Sequence, residues 1–316
     1  MSFLNIVLNI LTSALPCSLL AVGIFITYRL LDFADLTAEG SFLLGACVTA
    51  AMIHSGLNPF LATICGTLTG TLCGILTGIL NRYLKIPKLL SGIITLTASG
   101  SIALLIMGTT SSISMFATQV PINVKEGGKV QTIFSLFYPW MNPWNRIVEA
   151  GILILIVALV IVIVYYFFGT EYGMSIRATG MNEKMARAQG INTTFATIVG
   201  VAISNTLIGL GGALFVQDSL AVSTTFASGY LVIGLASILI GEAIFGKRSF
   251  KNWLISVSLG AIVYFIITTI VIQLGFPTQL KNLLYAILIT IALCIPFFKK
   301  WISSLKNKKK VEVNES

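Results

Sequence analysis

Nine predominantly apolar runs divide this chain, at about 4–27, 37–54, 59–81, 89–109, 147–168, 196–217, 230–246, 253–274 and 282–298. Most approach or exceed the roughly 20 residues a helix needs to cross a bilayer core. In hydrocarbon every backbone N–H and C=O must be satisfied internally, so only helices and closed barrels span it. Barrel strands alternate over segments of about 10 residues. These runs are longer and apolar on all sides. The expected fold is therefore all-α, a polytopic membrane helical bundle of 8–9 transmembrane spans. The second run is short and reads as a broken or partly inserted helix. Only 10% of residues are charged, against about 25% in soluble domains. The polar stretches are too short for an independent core. One membrane domain is expected over residues 1–298, with a polar loop at about 170–194. The basic segment 299–316 reads as a solvated tail. The first residues lack the positive region of a secretory signal, so the first span is expected to be retained.

Charge sets the expected orientation. If the loop Arg82–Lys88 is cytoplasmic, 16 lysines and arginines fall inside and 4 outside. The four are Lys125, Lys129, Arg146 and Lys281. Cytoplasmic loops carry the excess of positive charge, which puts the N-terminus outside and the C-terminus in. Trp140, Trp144, Trp253 and Trp301 all fall at span ends, where an aromatic belt would hold them. The net charge of +9 is explained by cytoplasmic loops rich in Lys and Arg and needs no nucleic-acid partner. Cys17, Cys47, Cys65, Cys73 and Cys294 lie in apolar segments without the spacing of a metal site or disulfide framework. His54 is the one histidine. Neither a metal, a cofactor nor histidine-based catalysis is expected.

Between two apolar runs stands the insert EYGMSIRATGMNEKMARAQGIN, Glu171–Asn192. Asn182 is a good N-cap, and Glu183 suits the positive end of a helix. Gly190 is a good terminator. One short helix over about Glu183–Gln189 is expected, with Met185, Ala186 and Gln189 on one side. Lys184 and Arg187 are free to meet water or a partner's acidic groups. On the residues alone, an ordinary amphipathic cytoplasmic loop is the favoured reading.

Four further features stand out. Gly66, Gly70, Gly74 and Gly78 form an i, i+4 stripe that lets helix backbones approach closely, within one chain or between two copies. Ser204, Asn205, Gly209 and Gly212 put a polar face on the sixth span. A lipid-facing amide is unfavourable, so that face makes a buried interhelical bond or lines a translocation path. Asp35 and Glu39 would repel on one helix face. The wet cytoplasmic edge near Arg29 is the inexpensive place for them, and a gate at the inner mouth is the alternative. Glu242 would pair with Arg248. Finally, GEAIFGKR at Gly241–Arg248 matches a phosphate-binding loop except at its last position, where Ser or Thr is required. Its apolar flanks argue against ATP binding.

Gly173, Arg177, Ala178, Ala186, Gly190 and Ile191 resemble the cytoplasmic loop of permease subunits of binding-protein-dependent ABC importers. That family includes the branched-chain amino acid and ribose permeases. Leu36–Ala46, LTAEGSFLLGA, resembles its early glycine-containing motif. The likeness covers nearly the whole chain and is closest to permeases of aromatic amino acid uptake. It implies a non-catalytic transport subunit for a small solute, with an amino acid first and a sugar or nucleoside second. It implies a coupling helix, with Arg177, Asn182, Glu183, Met185, Ala186, Gln189 and Gly190 serving a separate cytoplasmic ATPase. An external solute-binding protein and a second permease copy in the lipid are the other partners implied. The rival reading is an ion- or proton-coupled secondary transporter. Such proteins carry ionisable groups at the bilayer midplane, whereas the acids here are expected at span ends.

Overall fold

The computed structural model describes residues 3–108, 112–114, 132–134, 145–223, 225–273 and 290. The ninth apolar run apart from residue 290, the basic tail, Cys294, Lys125, Lys129, Lys281, Trp140, Trp144 and Trp301 lie outside the described residues. The helices are α1 (Phe3–Phe25), α2 (Thr37–His54), α3 (Pro59–Arg82), α4 (Lys88–Met107), α5 (Asn145–Phe167), α6 (Glu171–Met181), α7 (Glu183–Ala188), α8 (Thr193–Ser219), α9 (Tyr230–Phe245) and α10 (Phe250–Gln273). A π-helical turn, Ile26–Leu30, continues α1. Two short strands, β1 (Ser112–Ser114) and β2 (Ala221–Ser223), pair antiparallel with Ile113 opposite Val222.

Among the described residues six helices are long and apolar enough to cross a membrane: α1 with its π-turn, α3, α4, α5, α8 and α10. α9 is apolar but shorter. The result is an all-α membrane bundle. α1 and α8 form its inside, with 83% and 61% of their apolar windows buried, against 28% for α4. Large apolar side chains such as Leu68, Leu72 and Leu76 of α3 and Leu105 of α4 are exposed, as a lipid-facing surface requires.

α8 is the axle. Glycines along α3 meet it in sequence, and their order shows that the two helices run antiparallel. A Cβ on Gly70 would stand 2.5 Å from the Asn205 carbonyl oxygen and 2.9 Å from Gly209 Cα. On Gly74 it would stand 2.7 Å from the Val201 oxygen, and on Gly78 3.0 Å from Ile198 Cα. Gly66 faces the Gly45 oxygen of α2. α2 runs parallel to α8, with Ser41 against Asn205 and Gly45 against Gly209. Gly212 sits against the Phe42 carbonyl. α1 runs antiparallel on the other side, with Gly23 against Ser204 and Ile208 and Pro16 against Gly211. Only residues without side chains permit backbones this close. The stripe Gly66, Gly70, Gly74 and Gly78 is thus engaged within the chain.

α2 is a continuous 18-residue helix, not a broken one. It is short because the chain turns inward before it starts. Leu31 N donates to the Ile26 oxygen and Phe33 N to the Thr27 oxygen. Asp32 then adopts φ +49, a left-handed conformation that Asp tolerates better than most residues. Lys88 Nζ holds the Asp32 carbonyl at 2.8 Å. The first turn of α2 therefore begins inside the bundle.

At the end remote from α7, Arg146 of α5 bonds Asp218 of α8 at 2.8 Å and lies 3.6 Å from Glu149. Ser13 of α1 also reaches Asp218.

Replacing Gly209 with Val should lower stability by about 1–3 kcal/mol, the usual cost of overpacking. A Cβ there already stands 3.0 Å from Gly70 Cα. Gly100→Ala and Gly151→Ala, where an added Cβ meets nothing, should be neutral or slightly stabilising. Thermal unfolding in detergent measures all three, and equal shifts would contradict the packing assignment.

Candidate functional site

The polar insert folds as two helices where one was expected. Thr170 caps α6 by accepting from Gly173 N at 3.3 Å. Gly173 sits against Phe168, and Gly180 sits against the Leu30 carbonyl of the π-turn. α6 therefore lies directly on the end of α1. Ile176 is buried near Gly200 of α8. Arg177 stacks its guanidinium 4.9 Å over the Phe250 ring at the start of α10. It is thus tied to the bundle and not to α7.

α7 has defined stops at both ends. Asn182 is extended, and its side-chain oxygen accepts from Met185 N at 3.1 Å. At the other end Gly190 has φ +83. Gly190 N donates to the Arg187 oxygen and Ile191 N to the Ala186 oxygen, which together form a Schellman cap. Asn192 at once caps α8 through Phe195 N. Successive helix positions are about 100° apart, so Met185 and Gln189 share a side while Ala186 turns away. Accordingly Met185 is 60% exposed and Ala186 3%. This corrects the expected grouping of the three. Lys184, Gln189 and Gly190 are exposed too, as are Met181 and Met174.

Glu183 is the anchor of α7. It accepts from Arg82 Nη1 at 2.7 Å and from Arg187 Nη2 at 2.9 Å. Arg82 Nη2 also reaches Thr197 Oγ1 at 2.5 Å. The Arg82 hydrogen bond, reinforced by the charges of Arg82 and Arg187, holds the Glu183 carboxyl below the usual carboxylate range.

The two candidate gate carboxylates are not together on a helix face. Asp35 lies in the turn before α2 and is 5% exposed. Its Oδ2 accepts from Asn205 Nδ2 at 2.8 Å and its Oδ1 from Thr37 N at 2.9 Å. The other side of the Asn205 amide accepts from Ser41 Oγ at 2.7 Å. Asn205 is near the middle of the 27-residue α8. Asp35 therefore sits deep in the bundle, which corrects its expected place at the wet edge near Arg29. Neutral donors, not a cation, make this depth tolerable. Glu39 instead caps α9, accepting from Gly229 N at 3.0 Å and Leu231 N at 3.3 Å. Arg29 is taken by Glu242, through Nε at 2.9 Å and Nη2 at 2.6 Å. Trp253 Nε1 donates to the same carboxylate. The expected Glu242–Arg248 pair does not form, since Arg248 lies past the end of α9 and is exposed.

Of the polar face on α8, Ser204 bonds the Gly23 carbonyl at 2.7 Å. Gly209 and Gly212 stand in the helix contacts described above, closed in this conformation. A hydroxyl chain missed in the sequence, Thr37–Thr77–Thr95, links α2, α3 and α4 at 2.7 and 2.8 Å. Arg82 was also missed, counted only as one positive charge. Its partner is 101 positions away, and no local pattern announces it. Among the described residues no cluster of His, Cys, Asp or Glu is arranged to hold a metal ion.

Long helices packed backbone to backbone, an apolar exterior and a capped polar helix at one end define a multi-pass membrane protein built as a transport subunit. The chain belongs to the ABC permease family described as branched-chain amino acid transport system / permease component, whose model matches residues 6–293. It is 31% identical over 283 residues to the tyrosine transport system permease protein of Clostridioides difficile, covering 90% of this chain and 88% of that one. It is 24% identical over 301 residues to the galactofuranose transporter permease protein YtfT of Escherichia coli, covering 95% and 81%. Similarity at 24% over 255 residues, 75% of each chain, extends to the nucleoside ABC transporter permease protein NupC of Lactococcus lactis. No solved structure matches the chain.

Asn205→Leu strands the Asp35 Oδ2 and the Ser41 hydroxyl, at about 1–3 kcal/mol per buried orphaned group. Adding Asp35→Leu should recover part of that loss, because removing both partners of a buried bond costs less than removing one. Unfolding midpoints in detergent test this. A double variant less stable than Asn205→Leu would rule out the bond as assigned.

Proposed function

We propose that the chain is the membrane subunit of an ABC importer for an amino acid and that α7 is its coupling helix, seated in a groove on a separate cytoplasmic ATPase. The observation that carries this is α7 itself: one and a half turns of helix, capped at both ends, with Met185, Lys184 and Gln189 outward. Its fixed ends let it transmit a push without unravelling.

The orientation has its own support. Every described lysine and arginine except Arg146 belongs to the end of the bundle that carries α6 and α7. Excess positive charge marks the cytoplasmic side. In this reading the N-terminus is outside, the C-terminus is cytoplasmic, and residues 1–298 form the permease domain, crossing the membrane 8–9 times. A second copy completes the pathway, and a solute-binding protein delivers the solute from outside. An amino acid is favoured by the similarity to a tyrosine permease. Closure of the ATPases would then shift α7 and switch access to the path around Asn205.

The deep carboxylate Asp35 favours the second reading, a proton-coupled carrier, more than span-end acids would. Membership of an ABC permease family outweighs it. Uptake in vesicles without ATP but with a proton gradient separates the two, and the importer reading expects none.

A Lys184→Cys variant should resist an impermeant thiol reagent in intact cells and react once the membrane is opened. Reaction in intact cells would put α7 on the wrong side. Gly190→Val should keep the protein inserted, because a Cβ there meets nothing. The positive φ costs a branched residue about 1–2 kcal/mol, on the order of tenfold in the population of the native cap. ATP hydrolysis should persist in the complex while uptake falls. Normal uptake would argue against the coupling role.

A further inference from the structure

Arg82 is the last residue of α3, yet its side chain ends on two other elements. Nη1 bonds Glu183 of α7 at 2.7 Å, and Nη2 bonds Thr197 of α8 at 2.5 Å. The side chain is only 14% exposed, and its Nε is buried without a hydrogen-bond partner among the described residues. A buried unsatisfied donor is a cost carried by this conformation. It marks a side chain held in place by its fork, with a donor to spare in another arrangement. Arginine suits this because its planar guanidinium presents its donors in a rigid fork, whereas those of an ammonium rotate about a single point.

What lies behind Arg82 matters as much. α3 meets α8 along Gly70, Gly74 and Gly78. Backbone lies against backbone along that seam, with the Ile198 side chain packed beside Gly78, so the two helices are in direct contact over its length. Hydroxyl pairs then tie α3 to its neighbours, Thr71 to Thr206 and Thr77 to Thr37 and Thr95. Those ties reach the level of α8 where Asn205 holds Asp35. A displacement of α7 has a direct route to this region through one fork.

We infer that Arg82 is a positioning residue of the transport cycle, passing the movement of α7 to α3 through the Glu183 carboxylate. The inference rests on α7 being the coupling helix. It adds that the force crosses to α3 through a side chain, in addition to the main chain of α6 and α8.

The test is a double-mutant cycle in the complete transporter reconstituted with its ATPase and binding protein. Arg82→Gln and Glu183→Gln keep size and polarity and remove the charged bond. Arg82→Gln should co-purify with the ATPase and hydrolyse ATP at close to the wild-type rate, while uptake per ATP falls about tenfold; Glu183→Gln should lower uptake per ATP by a similar factor. The double variant should be no worse than either single, as expected for two groups acting as one unit. Arg82→Lys should restore part of the uptake, because the charge remains and the second arm of the fork is lost. Wild-type uptake in Arg82→Gln would overturn the inference. So would loss of the ATPase from that variant, which would make the pair a mere support of α7, and so would additive losses in the double. If Arg82→Gln transports normally while Gly190→Val is uncoupled, only the side-chain route fails. If Gly190→Val also transports normally, the coupling role itself fails.

Discussion

Close approach of glycine backbones to α8 is the interaction on which the rest of this fold depends. In lipid, apolar side chains gain little by meeting one another, so helices associate through van der Waals contact and interhelical hydrogen bonds. Both become available at α8 for one reason. Gly45, Gly66, Gly70 and Gly74 remove the side chains that would otherwise hold α2, α3 and α8 apart. At that range short polar side chains can reach across. Ser41 meets Asn205, and Thr71 meets Thr206. Ser204 reaches the backbone of α1. The polar face of α8 is thus a consequence of the packing and also its reinforcement.

That order of cause explains how much was legible in the sequence. Long apolar runs became helices close to their expected bounds, because crossing hydrocarbon leaves the backbone no other economical choice. The glycine stripe on α3 was legible for the same reason, since a period of four on a helix is a face. The caps of α7 were legible because Asn182 and Gly190 act on neighbours two to five residues away. The partners of Asp35, Glu39, Arg29 and Glu242 were not. Each lies on another helix, chosen by which helices meet and at what depth. The depth of Asp35 depends on the π-turn that follows α1, and no run of residues there spells a π-turn. Without it α2 would begin at the end of the bundle, where the acids were expected.

The carboxylates illustrate three ways of making a charge tolerable in a lipid-embedded bundle. Glu242 takes a bidentate arginine and an indole N–H. Glu39 takes the free N–H groups at the start of α9, where the helix dipole is positive. Asp35 takes neutral donors only. The first two are fixed by strong partners and read as structural. The third is held by bonds that a modest rearrangement of α8 and α2 could exchange. Asp35 is also the most buried of the three, at 5% exposed.

Placement of the insert joins these observations into one mechanical arrangement. α6 rests on the π-turn through Gly180, and that turn opens directly into the segment that carries Asp35. α7 is bonded to α3 through Glu183 and Arg82, and α3 packs on α8 along the glycine seam beside Asn205. The polar end is thus connected to the neighbourhood of the same buried pair in two ways, one through α6 and the turn after α1, the other through Arg82 and α3.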